Sequence, residues 1–367
     1  MLVKSVKVSG FRNYTLSEIE FSDNINVIIG GNAQGKTNLI EAVYYLTGGK
    51  SFRAKNDREL INFNSDTASI DSTVMSEGRL QHICADLSRY QRKQITLNER
   101  KIRSISELSG KLTAVLFYPD DLTIIRSSSV YRRRLMDNCL CQLRPLYAQA
   151  LAEYKRLYDR KTRILRDRNE AMIPVLEDFN RRMCEVGAVL IYYRARFVKA
   201  LAERAEKIHG EFSGGKEILK ISYKTVSTVN NPMQKADKIL SCLLEHQKSH
   251  LKAELDSGRC LSGPHKDDLN IFINETDARS FASQGQMRTA AISIKMAERE
   301  IHFEDKGEYP VLLLDDVLSE LDNERQNFIL NKINNGQVLI TCCEDQSISA
   351  KTGGKVLMIK NGRIVDV

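Results

Sequence analysis

One stretch limits what this chain can fold into: Val27-Ile28-Ile29-Gly30-Gly31-Asn32-Ala33-Gln34-Gly35-Lys36-Thr37. It reads as an apolar strand, a glycine-rich turn and a helix over about Asn38 to Thr47. Gly30, Gly35, Lys36 and Thr37 fit the spacing GxxxxGK[ST] of a phosphate-binding loop. Glycine lets backbone close around a phosphate. The N–H groups from Gly30 through Gly31, Asn32, Ala33, Gln34 and Gly35 to Asn38, at the opening of a helix, suit its oxygens. In such a loop Lys36 would neutralise the β and γ phosphates, and the Thr37 hydroxyl would bind Mg²⁺.

A nucleotide site of this kind needs a carboxylate for the metal. Val311-Leu312-Leu313-Leu314-Asp315-Asp316 supplies it as a buried parallel strand with acids at its carboxyl edge. Asp315 is the candidate metal ligand, and Asp316 stands where a general base could activate water.

The 367 residues, 42% hydrophobic and 28% charged, describe an ordinary globular chain with length for two or three domains. No apolar run approaches the roughly 18 residues of a membrane span. The N-terminus lacks a signal-peptide core, so the expected compartment is cytosolic. Eight cysteines without a CxxC pair, including Cys342-Cys343 in an apolar strand pattern, read as buried thiols. Residues 126–210 hold 19 Lys/Arg against 10 Asp/Glu, which accounts for the whole net charge of +8. A basic surface so concentrated suggests a polyanionic partner, nucleic acid first.

In order, residues 1–30 alternate as strands of a mixed sheet, with a turn at Gly10-Phe11-Arg12-Asn13-Tyr14. Arg12 is a further phosphate contact if that turn lies beside the loop. Residues 67–102 suggest an antiparallel sheet at the edge of the core. From about 129 the pattern is helical. Apolar residues at three- and four-residue spacing over 142–170 and from Pro174 to Ala200 predict an antiparallel helical hairpin, roughly 35–45 Å long. Arg132, Arg133 and Arg134, with Lys155, Arg156, Arg160 and Lys161, are its candidate DNA contacts. His246 and His250 lie four apart, but without a third ligand they read as part of a solvated helix. Gly258, Gly263 and Pro264 mark the return to the core. Ser283-Gln284-Gly285-Gln286 then opens a helix. A terminal hairpin turns at Asn361-Gly362.

Together these residues resemble the ATP-binding-cassette heads of SMC proteins and, more closely, the RecF family. The resemblance rests on residues 10–14, Gly30 to Thr37, Tyr118 to Leu122, Leu261-Ser262-Gly263-Pro264-His265-Lys266-Asp267-Asp268-Leu269, Ser283 to Gln286 and Leu312 to Asp322. It implies an α/β fold: a P-loop ATPase head of mixed sheet, flanking helices and antiparallel edge sheet, with an inserted helical arm. The domains would be 1–125, 126–255 and 256–367. It implies ATP and Mg²⁺ as ligands, and a homodimer formed on ATP in which Ser283, Gly285 and Gln286 of one subunit meet the γ-phosphate held by the other. Arg12 and Asn32 match family positions near the phosphates, and Asp322 matches a dimer-contacting acid. The implied partners are DNA, RecR, RecO and RecA. Asp316 replaces the commoner Glu, and Thr341-Cys342 replaces a sensing His, so the expected ATPase is slow. A transporter-type subunit, a small-molecule kinase and a nuclease-fused cassette are the alternatives. The first predicts no basic hairpin, the second gives Ser283 to Gln286 no role, and the third would need more chain than follows the Val338 strand.

Overall fold

The computed structural model describes residues 1–167, 174–343 and 351–365. The chain divides into two compact units, Met1–Thr123 with Ala291–Val367 and Ile124–Ala290.

The first unit starts with β1 (Leu2–Phe11), β2 (Tyr14–Glu20), β3 (Ile25–Ile29), α1 (Lys36–Tyr45), β4 (Thr67–Ser76), β5 (Arg79–Ser88), β6 (Gln94–Leu97), β7 (Arg100–Lys101) and β8 (Ala114–Phe117). The second holds α2 (Ser129–Leu143), α3 (Pro145–Asp167), α4 (Leu176–Phe212), β9 (Leu219–Lys224), α5 (Ala236–Ser257), β10 (Asp268–Ile273), β11 (Thr276–Asp277) and α6 (Ala278–Phe281). The division falls within α7 (Gln284–Lys306). The first unit then closes with β12 (Val311–Asp315), α8 (Asn323–Lys332), β13 (Val338–Cys342), β14 (Lys355–Lys360) and β15 (Arg363–Val365).

Two sheets build the first unit, and burial decides which strand joins which. β3, β12 and β13 are buried along nearly their whole length, as strands covered on both faces must be. They form a mixed sheet in the order β15-β14-β3-β13-β12-β8, parallel except for β15. β1, β4 and β5 alternate buried with exposed residues and lie in an antiparallel sheet, β2-β1-β4-β5-β6-β7. β1 and β2 thus belong to the antiparallel sheet, not to the mixed sheet expected for residues 1–30. Val3, Val6, Val8, Ile70, Val74 and Ile83 supply its inner face to the core shared with Leu39, Leu313 and Leu339.

In the second unit Arg144 breaks the expected first helix into α2 and α3, because Pro145 cannot continue it and instead opens α3. The next helix begins at Leu176, two residues beyond Pro174, and its 37 residues span roughly 55 Å. It is longer than the expected hairpin, and the turn predicted at 169–174 falls largely outside the described residues. Residues 256–290, expected in the head, belong to this unit: β10 pairs with β9 and β11 in a three-stranded sheet.

The stretch Leu261–Leu269 is the polar centre of this unit. Asp267 is fully buried and accepts hydrogen bonds from Arg194 Nη1 (2.7 Å), Thr225 Oγ1 (2.7 Å) and the Tyr223 hydroxyl. Asp268 takes the Arg132 guanidinium at both oxygens, 2.6 and 3.0 Å. His265 Nε2 donates to the Cys260 carbonyl at 3.1 Å, which leaves Nδ1 to accept from the Tyr154 hydroxyl at 2.7 Å, and burial pushes the ring's pKa down to about 4. His246 is buried and bonded to Ser262 Oγ at 2.8 Å, so it is not part of a solvated helix face.

Candidate functional site

The carboxyl ends of β3 and β12 lie one strand apart, with β13 between them. Ile29 pairs with Cys342, and Asp315 with Thr341. That register brings together residues almost three hundred positions apart. Thr37 Oγ1, in the first turn of α1, donates to Asp315 Oδ1 at 2.9 Å. Thr341 Oγ1 donates to the same oxygen at 2.9 Å and accepts from the Asp316 backbone N–H at 2.8 Å. Burial pushes the Asp315 carboxyl above its ordinary pKa, while bonds from Thr341 and Thr37 and the nearby charge of Arg53 pull it back.

Asp316 occupies the left-handed region at φ 49, a conformation Asp tolerates better than most residues. Its Oδ1 is buried without a hydrogen-bond partner among the described residues. A buried carboxylate oxygen left unpaired is costly, so this atom suits a water or cation held beside Asp315.

The loop from Gly30 to Gly35 closes tightly at both ends. Gly35 has φ 120, and a Cβ there would stand 2.9 Å from Asn13 Oδ1. A Cβ on Gly30 would strike the Ile359 carbonyl. The loop is held by its neighbours: Asn13 Nδ2 donates to Gln34 O at 2.9 Å, the Tyr14 hydroxyl to Gly35 O at 3.0 Å, and the Asn361 N–H to Gln34 Oε1 at 2.6 Å. Lys36 is buried, and its ammonium bends back onto the Gly30 and Gly31 carbonyls at 2.7 and 3.1 Å. Cys343 Sγ lies 3.7 Å from that ammonium and 3.1 Å from Asn32 Oδ1. Cys343 is exposed, unlike Cys342, because β13 ends between them.

Around α1 the structure adds residues that the sequence did not single out. Glu41, fully buried, takes Arg12 at both oxygens (2.8 and 2.9 Å), Arg53 Nη2 at 2.7 Å and the Ser51 hydroxyl. Burial raises its pKa, but these bonds outweigh it and hold the carboxyl below its usual range. Arg12 is therefore tethered through Glu41 and the Glu59 carbonyl rather than standing free beside the loop. Arg53 also reaches Asn38 Oδ1 at 2.6 Å. Glu41 and Arg53 carry no motif of their own, and Asn13 entered only as part of the turn at residues 10–14. Glu41, an acid among the apolar positions of α1, was the one available signal.

Asp322 lies in the same unit but serves as N-cap of α8, accepting the Arg325 N–H at 2.9 Å and pairing with its side chain. Ser283, Gly285 and Gln286 belong to the other unit. There Ser283 Oγ accepts from the Gln286 N–H at 3.2 Å, while Gln286 Oε1 accepts from the Ser283 N–H at 2.9 Å. This reciprocal capping box uses donors that the sequence left free for an anion.

The basic residues of the second unit divide in two. Arg132 is buried on Asp268 and the Ile124, Ile125 and Ser127 carbonyls. Arg133 donates to the Asp267 carbonyl at 2.6 Å, and Lys161, buried, pairs with Glu254 at 2.6 Å. Arg132 and Lys161 are buried and so not available to a phosphate backbone, while Arg133 is half-buried. Arg134, Lys155, Arg156 and Arg160 are exposed. Among the described residues no helix is long and apolar enough to cross a membrane.

Comparison with known proteins fits this geometry. The family model of the RecF/RecN/SMC N-terminal domain matches residues 2–364. A DNA replication and repair protein RecF of Clostridium perfringens is 38% identical over 368 residues, covering 99% of each chain. Its counterpart in Clostridium tetani is 36% identical over 368 residues and covers all of both. The solved structure of a recombination mediator protein RecF with ATP, in the RecFOR pathway, superposes with a TM-score of 0.91 at 32% identity, covering 100% of this chain and 97% of that one. An Smc head domain from Pyrococcus furiosus, 18% identical, covers 100% of this chain and 96% of that one with a TM-score of 0.56, a likeness of fold.

Proposed function

Because the chain belongs to the RecF family, we propose that it is an ATP-dependent DNA-binding protein of replication and recombinational repair, assembled as a dimer by ATP and reset by slow hydrolysis. The observation that carries the nucleotide half is the Thr37–Asp315 hydrogen bond, which joins the phosphate-loop helix to the acidic strand.

The residues fit ATP and Mg²⁺. The glycines at Gly30 and Gly35 leave no room for a Cβ, Lys36 carries its charge into the loop, and Asp316 offers an unpaired oxygen. Thr37 and Asp315 would hold Mg²⁺, which when bound supplies charge neutralisation at the β and γ phosphates. Lys36 would exchange the Gly30 and Gly31 carbonyls for phosphate oxygens. The backbone from Gly31 to Asn38 would bind the phosphates, and Asp316 would orient and deprotonate the attacking water. Asp carries its carboxylate one methylene short of Glu, which supports slow turnover. Arg12 acts through Glu41, keeping the turn at residues 10–14 against α1.

Ser283, Gly285 and Gln286 would close the γ-phosphate of a second subunit, with Asp322 in the dimer contact. The exposed Arg134, Lys155, Arg156 and Arg160 support DNA binding through phosphates, with little base specificity. RecR, RecO and RecA are the partners this reading assigns, in loading recombinase at gapped DNA. ATP turnover measured with and without duplex DNA tests it. Stimulation by DNA is expected, and turnover indifferent to DNA would favour a transporter-type or other P-loop ATPase.

A further inference from the structure

The terminal hairpin reaches the phosphate loop. β14 runs parallel to β3, with Leu357 opposite Ile28 and Met358 opposite Ile29. The chain beyond Met358 therefore continues beside the loop that follows β3. It turns at Asn361 and Gly362, at φ 50 and 68, the Asn-Gly pair that a two-residue hairpin turn favours. This turn holds Gln34 twice. The Gly362 N–H donates to the Gln34 carbonyl at 2.9 Å, and the Asn361 N–H donates to Gln34 Oε1 at 2.6 Å. Asn13 Nδ2 donates to the same Gln34 carbonyl, and the Tyr14 hydroxyl donates to the Gly35 carbonyl. The Asn13 amide is itself fixed: Oδ1 accepts from Asn38 Nδ2 at 2.7 Å, which leaves Nδ2 for the loop. A Cβ on Gly362 would stand 2.5 Å from the Asn13 carbonyl oxygen, so the two turns pack without a gap.

We propose that the turn at residues 10–14 and the terminal hairpin form an outer clamp on the phosphate loop, with Asn13, Tyr14 and the Asn361–Gly362 turn as positioning residues for the nucleotide phosphates. The clamp presupposes that the loop is the ATP site proposed above. In a trans peptide the C=O and the following N–H point opposite ways. Drawing the Gln34 and Gly35 carbonyls outward therefore aims the N–H groups of Gly35 and Lys36 inward, the arrangement that binds phosphate oxygens. A flipped peptide would put a carbonyl there and repel the phosphate, and a glycine at position 35 makes such a flip easy. The two halves of the loop are thus held differently. The Gly30 and Gly31 carbonyls are held by Lys36, which would leave them for phosphate. Gln34 and Gly35 are held from outside the loop, and their geometry stays set whether nucleotide is bound or not.

The test is titration of the full chain, in Mg²⁺, with ATP and with inorganic tripolyphosphate, each read by displacement of a fluorescent nucleotide. Asn13→Asp keeps the shape of the side chain but sets a carboxylate oxygen against the Gln34 carbonyl, and Gly362→Ala drives a methyl group into the Asn13 carbonyl. Each should weaken both ligands by roughly tenfold or more, since a loop hydrogen bond is lost or turned repulsive. Asn13→Ala, which adds no negative charge, should fall between the wild type and Asn13→Asp. Equal losses for ATP and tripolyphosphate would place the effect at the phosphates, and KM for ATP should rise by more than kcat falls. Tm without nucleotide reports that each variant is folded, and Lys360→Ala, exposed on the same hairpin, should bind as the wild type does. Folded Asn13→Asp and Gly362→Ala proteins that bind both ligands like the wild type would overturn the clamp alone. A wild type that binds neither ligand would overturn the ATP site itself, and the clamp with it.

Discussion

Thr37 and Asp315 touch, and Lys36 and Asp316 are their neighbours in the chain, yet the four should fail differently when changed. Lys36→Met removes the cation that the glycine loop encloses, so tight ATP binding should be lost, as titration with a fluorescent nucleotide would read. Asp316→Asn keeps the shape and removes a base. It should still bind ATP while turnover falls roughly 10²-fold or more, and undiminished turnover would move the base to another group. The loop and the acidic strand were legible because each needs residues at fixed spacing. The Glu41–Arg12–Arg53 cluster was not, since its members come from a turn, a helix and a loop that meet only on folding. His265 gives a pH test at this scale. Its folded pKa, about 4, lies below the ordinary value of 6.5, so the folded state disfavours its protonation. The stability it contributes is present above about pH 6.5 and is lost as pH falls toward 4. The wild type should therefore lose more Tm over that window than His265→Gln, which keeps a partner for Tyr154. Parallel curves would mean that His265 does not titrate on unfolding.

At the scale of elements, continuous apolar runs marked β3, β12 and β13, and alternation marked β4 and β5. What the pattern could not supply was sheet membership. β1 and β2 alternate just as strands of either sheet could, and only pairing with β4 decides. Helical periodicity likewise located α3 and α4 but did not separate buried from exposed cations. Lys161 looked like one more charge on a basic helix, yet it sits with Glu254 and Gln247 in the interior. Charge reversal at Lys155, Arg156 and Arg160 should weaken DNA binding evenly across sequences and lower the salt slope by about 0.9 per lost phosphate contact. Lys161→Glu should instead unfold the second unit, since breaking a buried pair costs about 3–5 kcal/mol. Thermal melts and salt-dependent binding of the two variants separate these outcomes. The motif at Leu261–Leu269, specific by sequence, proves to be a scaffold: its acids neutralise Arg132 and Arg194 within the unit.

For the whole molecule, the proposal turns on incompleteness. One chain holds a phosphate loop in one unit and a capped helix start, Ser283 to Gln286, in the other. Two copies related by a two-fold axis would satisfy both ends and close, which stops assembly at a dimer. ADP lacks the charge that the second copy would grip, so it should favour monomers. The sequence suggested this through resemblance alone, because the loop and the helix start lie far apart in the chain and in different units. The most direct measurement is sedimentation of the wild type and of Ser283→Arg, each with Mg²⁺ and either ATP or ADP. Loss of the cap should cost only about 1 kcal/mol, so the variant should stay folded and bind ATP. The wild type should be a dimer with ATP and a monomer with ADP, and the variant a monomer with both. A dimer indifferent to nucleotide, or a Ser283→Arg protein that still dimerises on ATP, would contradict the account and leave Ser283 as a helix cap.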